Sequence, residues 1–516
     1  MNRRLLFSIF VLSISFSAIG QVNHVAESII EKAKTDNQTM HHLDVLTNRI
    51  GGRLIGSSAY EIATYWVANL LKTWGLEVEI QEVGELPVGF NRGAWFGKML
   101  DNDGMDLHFA TPSYTSGTKG VQRGHVVMEP KTQAQFDRMK GRLKGAWVLI
   151  TGTNDGWPID ISPRGDSSRR NIIETNETNQ RYNDSIKLIN QANPNETPLP
   201  LRELDDAPAL FYKEMREAGI LGIIQSSAVP IRALYDRRNI DSMDFYRNLP
   251  ECPDIKLDEN QYKIIAQKVA ERRYFQLEFD IRNYFRPGPI KYHNVIGTIR
   301  GSEFPDEYVM SGGHLDAFDV ASGAVDCGTG VAPNLEAARL LAMSGAKPRR
   351  SIVFCFWTGE EFGLLGSKYW VEQNKEKWPR ISNYFNRDGG PLIANSLTVP
   401  PAMYEEFKKA TALFNSINPD FPFTLRERTG PPPKRPLTAG GSDHAYFALN
   451  GIPDIQFGTA DPKGYNFDYQ EIWHTERDMY NMSIPEYMDY TSVVTALILY
   501  NLANLDHILS REGLYE

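Results

Sequence analysis

The chain has 516 residues, of which 41% are hydrophobic and 23% are charged, as in an ordinary globular protein. Because this length exceeds what one hydrophobic core normally organises, we expect two domains. The formal net charge of −9 disfavours a nucleic acid or an anionic membrane as partner, since phosphate binding needs clustered Lys and Arg. Three cysteines, Cys252, Cys327 and Cys355, are too few for a disulfide framework.

The first twenty residues have the pattern of a secretory signal peptide. A basic start at residues 2–4 precedes an apolar run at residues 5–16 and the small-residue cleavage pattern Ala18-Ile19-Gly20. We therefore expect a secreted or periplasmic protein that is cleaved after Gly20, with an uncleaved membrane anchor as the alternative. No later run reaches the roughly 18 apolar residues that a span needs, so we expect no membrane span.

Hydrophobic periodicity and turn residues predict a mixture of helices and strands along the rest of the chain. Helical patterns cover residues 22–39, 42–48, 59–74, 214–218, 261–272, 335–344, 368–373, 403–414 and 486–509. Strand patterns cover residues 76–83, 126–128, 146–151, 208–211, 220–225, 274–281, 294–299, 308–310, 351–357 and 452–457. A polar, Asn-rich stretch at residues 171–198 has too few apolar residues to form a core, and we interpret it as a surface insertion or a mobile loop.

Two of these apolar runs, Tyr308–Met310 and Ser351–Trp357, have the composition of buried parallel strands. His314 and Asp316 follow the first run, and the pair Glu360-Glu361 follows the second. In open α/β sheets, sites form beyond the carboxyl ends of the strands, so we expect a catalytic centre at this edge.

Polar residues of the types that bind metals recur at the predicted strand ends. They are His314, Asp316, Asp326, Glu360, Glu361, Asp388 and His474. Two histidines and several carboxylates suit zinc or a similar divalent ion, and there are enough ligands for two ions that share one carboxylate. One of the paired glutamates would remain free as a general base. Spacing alone leaves open the alternative of scattered surface charge and capping aspartates.

Six motifs occur in a fixed order: HLD at 314–316, AVDCGTG at 324–330, TGEEFGLLGS at 358–367, NRDGG at 386–390, GGSDHAYF at 440–447 and WHTERD at 473–478. Together they resemble the M28 family of zinc metallopeptidases. GRLKGAWVLITG at 141–152 and FYKEMREAGILGIIQSS at 211–227 resemble a protease-associated (PA) domain. The combination is similar to the secreted branch that contains carboxypeptidase Q and secreted aminopeptidases.

The resemblance implies an α/β fold with two parts. Residues 21–114 and 289–516 would form the zinc peptidase domain, with a mixed, mostly parallel central sheet flanked by helices. Residues 115–288 would form an inserted, smaller, β-rich α/β domain of the PA type.

The family pattern also implies a metal-binding role for five residues. His314 and Asp388 would bind one Zn²⁺, Glu361 and His474 would bind a second, and Asp326 would bridge the two ions. Cofactors would therefore be two Zn²⁺, although other divalent ions would fit the same ligands.

Further roles follow from the same pattern. Glu360 would be the general base, and Asp316 would orient His314 from behind, as metal-bound histidines require. Asp478 would support His474 in the same way or be an ordinary loop carboxylate. His444 and Tyr446 would contact substrate, with a capping turn and an aromatic core residue as the alternative.

These features predict a secreted co-catalytic dizinc exopeptidase that hydrolyses terminal peptide bonds of peptides, with aminopeptidase or dipeptidase action favoured. A carboxypeptidase of the carboxypeptidase Q or glutamate carboxypeptidase type is the alternative within the class. Outside it stand a non-catalytic binding protein on the same fold and a mononuclear-zinc glutaminyl cyclase, both disfavoured by the complete ligand set. The sequence leaves open whether the protein is a homodimer. It also leaves open how Cys327 affects metal preference, since this branch often has Asp or another small polar residue at that position.

Overall fold

The computed structural model describes residues 24–101, 104–235, 247, 249 and 251–516, so the predicted signal peptide lies outside the described residues. The chain divides into two compact units. The first unit comprises Met1–Glu85, Ile290–Trp473 and Arg477–Glu516, and the second comprises Leu86–Pro289 and His474–Glu476. Within the described ranges, no helix combines the length and apolarity that crossing a membrane requires.

The structure contains fourteen strands in the described residues. In chain order they are β1 Glu77–Leu100, β2 Met105–Asp106, β3 Phe109–Ala110, β4 Gln122–Met128, β5 Ala146–Thr153, β6 Gly222–Ser227, β7 Asp254–Asp258, β8 Gln276–Ile299, β9 Phe304–His314, β10 Arg350–Trp357, β11 Ile381–Asn386, β12 Ile393–Val399, β13 Thr424–Glu427 and β14 Phe457–Ala460.

The α-helices cover residues 24–35, Thr39–Asp44, Ser58–Thr73, Gln133–Leu143, Pro163–Ala192, Tyr212–Glu217, Glu259–Ala270, Thr329–Met343, Leu365–Gln373, Tyr404–Ala410, His444–Leu449 and Pro485–Ala503. Shorter π or 3₁₀ turns lie at Val45–Ile50, Ala324–Gly328, Lys375–Arg380, Pro401–Met403, Phe414–Ser416, Tyr469–Glu471 and Tyr480–Met482.

The main sheet of the first unit has the strand order β11-β9-β10-β8. β9 lies parallel to both β10 and β11, and Val309 pairs with Ile352 across the first of these ladders. The prediction of two buried parallel strands at 308–310 and 351–357 is therefore confirmed. The helix Thr329–Met343 connects β9 to β10, as the parallel arrangement requires. A second, three-stranded sheet has the order β13-β12-β14.

Both faces of the main sheet are covered, which explains why β10 is apolar at every position from Ile352 to Trp357. Phe354 and Phe356 pack into a core that includes the buried residues of the helix Pro485–Ala503. Cys355 and Trp357 point to the other face and pack with a second buried cluster. The mixed α/β fold expected from the sequence is confirmed.

The second unit has its own sheet, with the order β8-β4-β5-β6-β7-β3. β4, β5, β6 and β7 lie parallel to one another in that order, and the edge strand β3 is antiparallel to β7. The unit begins at Leu86, ahead of the predicted residue 115, because the second half of β1 contributes Met99 to this unit's core. Residues 208–211, predicted as a strand, form a turn before the helix Tyr212–Glu217.

Of the two interpretations of residues 171–198, the mobile loop is wrong, because most of this stretch lies in the helix Pro163–Ala192. Ser162 caps the helix by accepting a hydrogen bond from the Gly165 N–H, and Pro163 occupies its first position. Hydrophobic periodicity could not reveal this helix, since few of its side chains are buried and two of those are asparagines.

Three asparagines on this helix, which we call the asparagine ladder, hold an extended segment of the chain. Asn176, Asn183 and Asn190 are spaced seven residues apart, so they lie on one face of the helix. Each amide accepts from the N–H and donates to the C=O of a single residue, with all six distances between 2.7 and 3.0 Å; the partners are Asp205, Arg202 and Leu199 respectively. Seven helical residues rise about 10.5 Å, and three extended residues span about 10 Å, so the two spacings match.

A charged cluster in the second unit centres on His108. Its Nδ1 lies 3.2 Å from the Asp258 carboxylate and its Nε2 lies 2.6 Å from the Glu476 carboxylate. Glu476 also accepts from the Ile231 N–H at 3.1 Å, and Asp258 caps the helix Glu259–Ala270. Burial lowers the pKa of His108, but the two carboxylates outweigh burial and raise this pKa above its usual value.

We expect His108→Gln to lower the free energy of unfolding more at pH 6 than at pH 9. The folded-state pKa of His108 is raised above the unfolded value of about 6.5, so its stabilisation is fully present below that pH and is lost as pH rises through the folded pKa. Urea unfolding at both pH values measures the difference. His125→Gln is the control, because the His125 ring bonds to the Arg142 carbonyl at 2.8 Å. Equal destabilisation by His108→Gln at both pH values would contradict the prediction.

Candidate active site

The predicted site residues of the first unit lie beyond the carboxyl ends of three neighbouring strands. His314 is the last residue of β9, Glu360 and Glu361 follow β10, and Asp388 follows β11. Asp326 lies in the turn Ala324–Gly328 that leads into the crossover helix. Because β9, β10 and β11 are parallel neighbours, their ends meet at one edge, and the five side chains converge there from four segments of the chain.

The distances between these side chains are those of a potential metal centre. His314 Nε2 lies 3.1 Å from Asp326 Oδ1 and 3.6 Å from Asp388 Oδ1. One ligand atom from each of His314, Asp326 and Glu361 lies within 4.8 Å of the other two, and the same holds for His314, Cys327 and Asp388. His314 and Asp326 are buried, whereas Glu361 and Asp388 are half-buried.

The His314 ring is oriented by a main-chain group. Its Nδ1 donates to the carbonyl oxygen of Asp316 at 2.9 Å, so Nε2 presents its lone pair to Asp326. The Asp316 carboxylate lies farther from the ring, at 3.8 Å, and instead accepts from the N–H groups of Glu360 and Glu361 at 3.2 Å each. Asp316 thus orients His314 through its carbonyl, while its side chain fixes the turn that carries the two glutamates.

The site requires positive charge. The buried Nε2 of His314 has no hydrogen-bond partner among the described residues. Carboxylate oxygens of Asp326 and Asp388 face it. Burial lowers the pKa of His314, but the acidic groups around it outweigh burial and raise this pKa well above its usual range. In the neutral ring, a nitrogen lone pair that faces carboxylates is unfavourable, so Nε2 either takes up a proton, as the raised pKa indicates, or binds a cation. These residues therefore fit a divalent metal.

Two further side chains interact electrostatically with these residues, and the sequence did not single them out for the chemistry. Asp443 is fully buried, and burial raises its pKa above the usual range of a carboxyl group. Burial also raises the pKa of Tyr469, and the charges of Asp326 and Asp388 add to the increase. Asp443 belongs to the GGSDHAYF motif, and Tyr469 lies just before WHTERD, so only their motif membership or proximity could have indicated them.

Comparison with known proteins agrees with this geometry. The model of peptidase family M28 matches residues 294–498, which include every predicted ligand. Carboxypeptidase Q of Mus musculus is 22% identical over 499 residues, covering 96% of this chain and 92% of that protein. A probable glutamate carboxypeptidase of Arabidopsis thaliana is 38% identical over 200 residues, covering 36% of this chain and 29% of that protein.

Solved structures share the fold. The peptidase M28 precursor of Shewanella amazonensis superposes with a TM-score of 0.57 at 18% identity, covering 96% of this chain and 99% of its own. A zinc aminopeptidase of Bacillus subtilis superposes with a TM-score of 0.50 at 17% identity, covering 94% and 98%. Residues 294–498 match peptidase family M28, and the chain is a zinc metallopeptidase.

The peptidase has a cysteine beside this potential metal centre. The Cys327 thiol is buried and donates to the Arg387 carbonyl at 3.1 Å. Burial raises the pKa of Cys327 to about 12, so in the metal-free protein the thiol keeps its proton. Since the thiolate is the form that binds metal, this environment favours His314 and Asp388 over Cys327 as ligands.

Three other predicted residues of the peptidase lie in different surroundings. His474 has a left-handed backbone (φ +60°) and groups with the second unit, so its role as a ligand stays a prediction. His444 is half-buried at the start of the helix His444–Leu449. Tyr446 packs against the buried aromatic cluster of the first unit, which favours the alternative of a core residue.

A buried network of hydrogen bonds links residues next to the peptidase's candidate site. Trp357 Nε1 donates to Tyr384 Oη at 2.6 Å, and this hydroxyl donates to Asn386 Oδ1 at 2.8 Å. Asn386 Nδ2 then donates to Ser442 Oγ at 2.9 Å. These hydrogen bonds therefore connect the end of β10 with the GGSDHAYF motif.

We expect Tyr384→Phe to lower the free energy of unfolding by about 1–3 kcal/mol, because it leaves the buried Trp357 N–H without its acceptor. Urea unfolding of the peptidase monitored by tryptophan fluorescence measures the change. Tyr274→Phe is the matched control, since Tyr274 is 85% exposed and its substitution should change little. Equal stability of the two variants would contradict the prediction.

Proposed function

We propose that this M28 zinc exopeptidase is an exported aminopeptidase that removes residues from the free amino ends of short peptides, using two zinc ions. The observation that carries the proposal is the excess of carboxylates at the strand ends. Asp326, Glu361 and Asp388 surround His314, and Asp443 is buried close by. Bound cations offset part of this charge, and a substrate ammonium suits the remainder.

Two zinc ions, when bound, would supply Lewis acidity that lowers the pKa of a water and polarises the scissile carbonyl. His314 and Asp388 would hold one ion, Glu361 and His474 the other, and Asp326 both. The Nδ1–H bond of His314 to a carbonyl supports this, because it leaves Nε2 free to bind metal.

Glu360 is the residue proposed as general base. It would take a proton from the attacking water and deliver it to the leaving amine nitrogen as the peptide bond breaks. Burial raises the pKa of Glu360 in the metal-free protein, and neighbouring cations would bring it back toward neutrality, where a base is most effective. Asp316 holds Glu360 in place through its N–H.

The arginines beside the centre support action at the amino end. Carboxypeptidase action requires a cation for the substrate carboxylate, and Arg387 and Arg53 are two arginines whose charges interact with the ligands. Both are buried, and both donate to main-chain carbonyls: Arg387 to Gly390 at 2.9 Å and Arg53 to Leu315 at 2.8 Å. Their charges are therefore already committed within the fold.

A panel of short peptides in free, N-acetylated and C-amidated forms tests the proposal. Each peptide is incubated with the protein in the presence of zinc or a chelator, and the products are identified by mass spectrometry. Stepwise loss from free amino ends, abolished by acetylation and by chelator but not by amidation, is the expected result. The Glu360→Gln variant, purified identically, controls for contaminating peptidases.

Other outcomes would replace this proposal. Loss that survives acetylation but requires a free carboxyl end would make the protein a carboxypeptidase, as the name of the mouse relative suggests. Cleavage of dipeptides alone would make it a dipeptidase. Absence of any zinc-dependent cleavage would favour a binding protein.

Export is the second part of the proposal and rests on the pattern of residues 1–20. Expression of the full chain in a bacterium, followed by fractionation and amino-terminal sequencing, tests it. We expect a mature protein that begins at Gln21 outside the cytoplasm. A cytoplasmic protein that retains residues 1–20 would overturn it.

A further inference from the structure

Arg53 is a fully buried cation that binds main-chain carbonyls of the active-site loops. It is 0% exposed. Its guanidinium donates to five carbonyl oxygens, those of Leu46 at 3.3 Å, Gly51 at 3.1 Å, Leu315 at 2.8 Å, Ser322 at 2.9 Å and Gly323 at 2.7 Å. Burying a guanidinium is unfavourable unless its donors are satisfied, and these five hydrogen bonds offset that desolvation cost. Leu315 directly follows the ligand His314, and Ser322 and Gly323 precede the ligand Asp326.

Asp478 binds the same loop from the other end of the chain. Its carboxylate accepts from the N–H of Val325 at 2.5 Å and from the N–H of Asp326 at 3.3 Å. Its main-chain carbonyl accepts from the N–H of Ser322 at 3.1 Å. Asp478 is 5% exposed, so these bonds form where water competes little.

The loop at residues 322–326, which we call the Asp326 loop, is therefore held by two side chains of opposite charge, one at its main-chain carbonyl groups and one at its main-chain N–H groups. Arg53 binds its carbonyls and Asp478 binds its N–H groups. Gly323 makes the arrangement feasible: its φ is +63°, and a Cβ there would lie 2.3 Å from the Ala317 Cβ. Asp478 is also the neighbouring charge that most raises the pKa of Arg53 against the lowering by burial.

We propose that Arg53 and Asp478 are positioning residues for the metal centre, which clamp the Asp326 loop so that the Asp326 carboxylate faces His314. This inference rests on the proposed function of Asp326 as the shared metal ligand. It assigns Asp478 to the Asp326 loop, where the sequence had suggested support of His474. Outer partners that orient metal ligands typically contribute 10–100-fold to metal affinity.

Loss of Arg53 or Asp478 should change zinc affinity, whereas loss of an ion pair with only a structural role should change stability alone. In Asp478→Asn, the side-chain oxygen can still accept from one of the N–H groups of Val325 and Asp326, but the side-chain NH₂ faces the other N–H group. We therefore expect the Asp326 loop to shift while the fold remains. Asp254 provides the matched control, because it is equally buried at 5% and pairs with the buried Lys256 at 2.8 Å in the second unit. Arg350, which is 1% exposed and pairs with Glu307 at 2.6 Å, is the control for Arg53.

The experiment measures zinc affinity of the full chain by competition with a chromophoric chelator, together with apparent thermal stability in excess chelator. We expect Asp478→Asn and Arg53→Met to weaken zinc binding about 10–100-fold, and Arg53→Lys to recover part of the loss. Asp254→Asn and Arg350→Met should lower thermal stability but retain wild-type zinc affinity.

Each outcome decides between the readings. Wild-type zinc affinity in a folded Asp478→Asn variant would overturn the inference, even if that variant is less stable. If Arg53→Met fails to fold, Asp478→Asn and Arg53→Lys carry the test. A wild-type protein that binds no zinc would instead overturn the proposed function and this inference with it, whereas two bound ions with unaffected variants would overturn the inference alone.

Discussion

Glu360→Gln should leave zinc binding intact and reduce turnover of a cleaved peptide by orders of magnitude. The amide is nearly isosteric with the carboxyl group but cannot accept a proton from water, so the loss falls on kcat rather than on metal content. Position 360 tolerates the change structurally, because its N–H bond to the Asp316 carboxylate belongs to the main chain. Peptide kinetics and zinc content of the same preparation measure the two effects.

The neighbouring Glu361→Gln is the matched comparison for that variant. Glu361 belongs to the potential ligand set with His314 and Asp326, so its substitution should reduce zinc content as well as turnover. If Glu360→Gln lost zinc and Glu361→Gln kept it, the assignment of base and ligand would be reversed. If Glu360→Gln retained turnover near the wild-type level, Glu360 would not be the base.

Asp326→Ala should abolish the rise in thermal stability that zinc produces. A ligand at about 100 times its Kd adds about 2.7 kcal/mol per site to the folded state. Removing the carboxylate 3.1 Å from His314 Nε2 takes away the ligand proposed to be shared by both ions, so both contributions fall. Thermal melting with increasing zinc, and zinc content after dialysis, provide the measurement, and turnover should fall to background.

Asp306→Ala is the control for this substitution, because the Asp306 side chain is 71% exposed and pairs only loosely with Arg380 at 3.9 Å. It should melt like the wild type at every zinc concentration. A normal zinc-dependent rise in Asp326→Ala would mean that Asp326 is not a shared ligand, whatever the variant's activity.

The sequence predicted the catalytic edge of the sheet because the chemistry and the strand pattern coincide there. The apolar runs 308–310 and 351–357 have the composition of buried strands, and polar residues directly after such strands lie at the strand ends. His314 and Glu361 could therefore be placed together before any distance was known. The resemblance to a family then supplied roles that spacing alone left open.

Other features depend on contacts between distant parts of the chain, which local patterns do not encode. The Asp316 side chain was expected behind His314, but it bonds the N–H groups of Glu360 and Glu361, forty-odd residues later. Asp443 is a buried carboxyl in a segment that reads as an exposed polar turn. Burial of a single charged side chain depends on the tertiary packing around it, so periodicity could not predict it.

The asparagine ladder has a consequence for how this protein can vary. Its rungs touch only main-chain atoms of Leu199, Arg202 and Asp205, so the side chains of the held segment carry none of these bonds. Substitution there should leave the ladder's hydrogen bonds intact unless it introduces Pro at 199, 202 or 205, which has no N–H to donate. Insertion of one residue into the held segment between two of these positions would move the later partners away from their asparagines. The ladder thus tolerates a change of residue type in the held segment but not a change in the segment's length, which is the reverse of an ordinary surface loop.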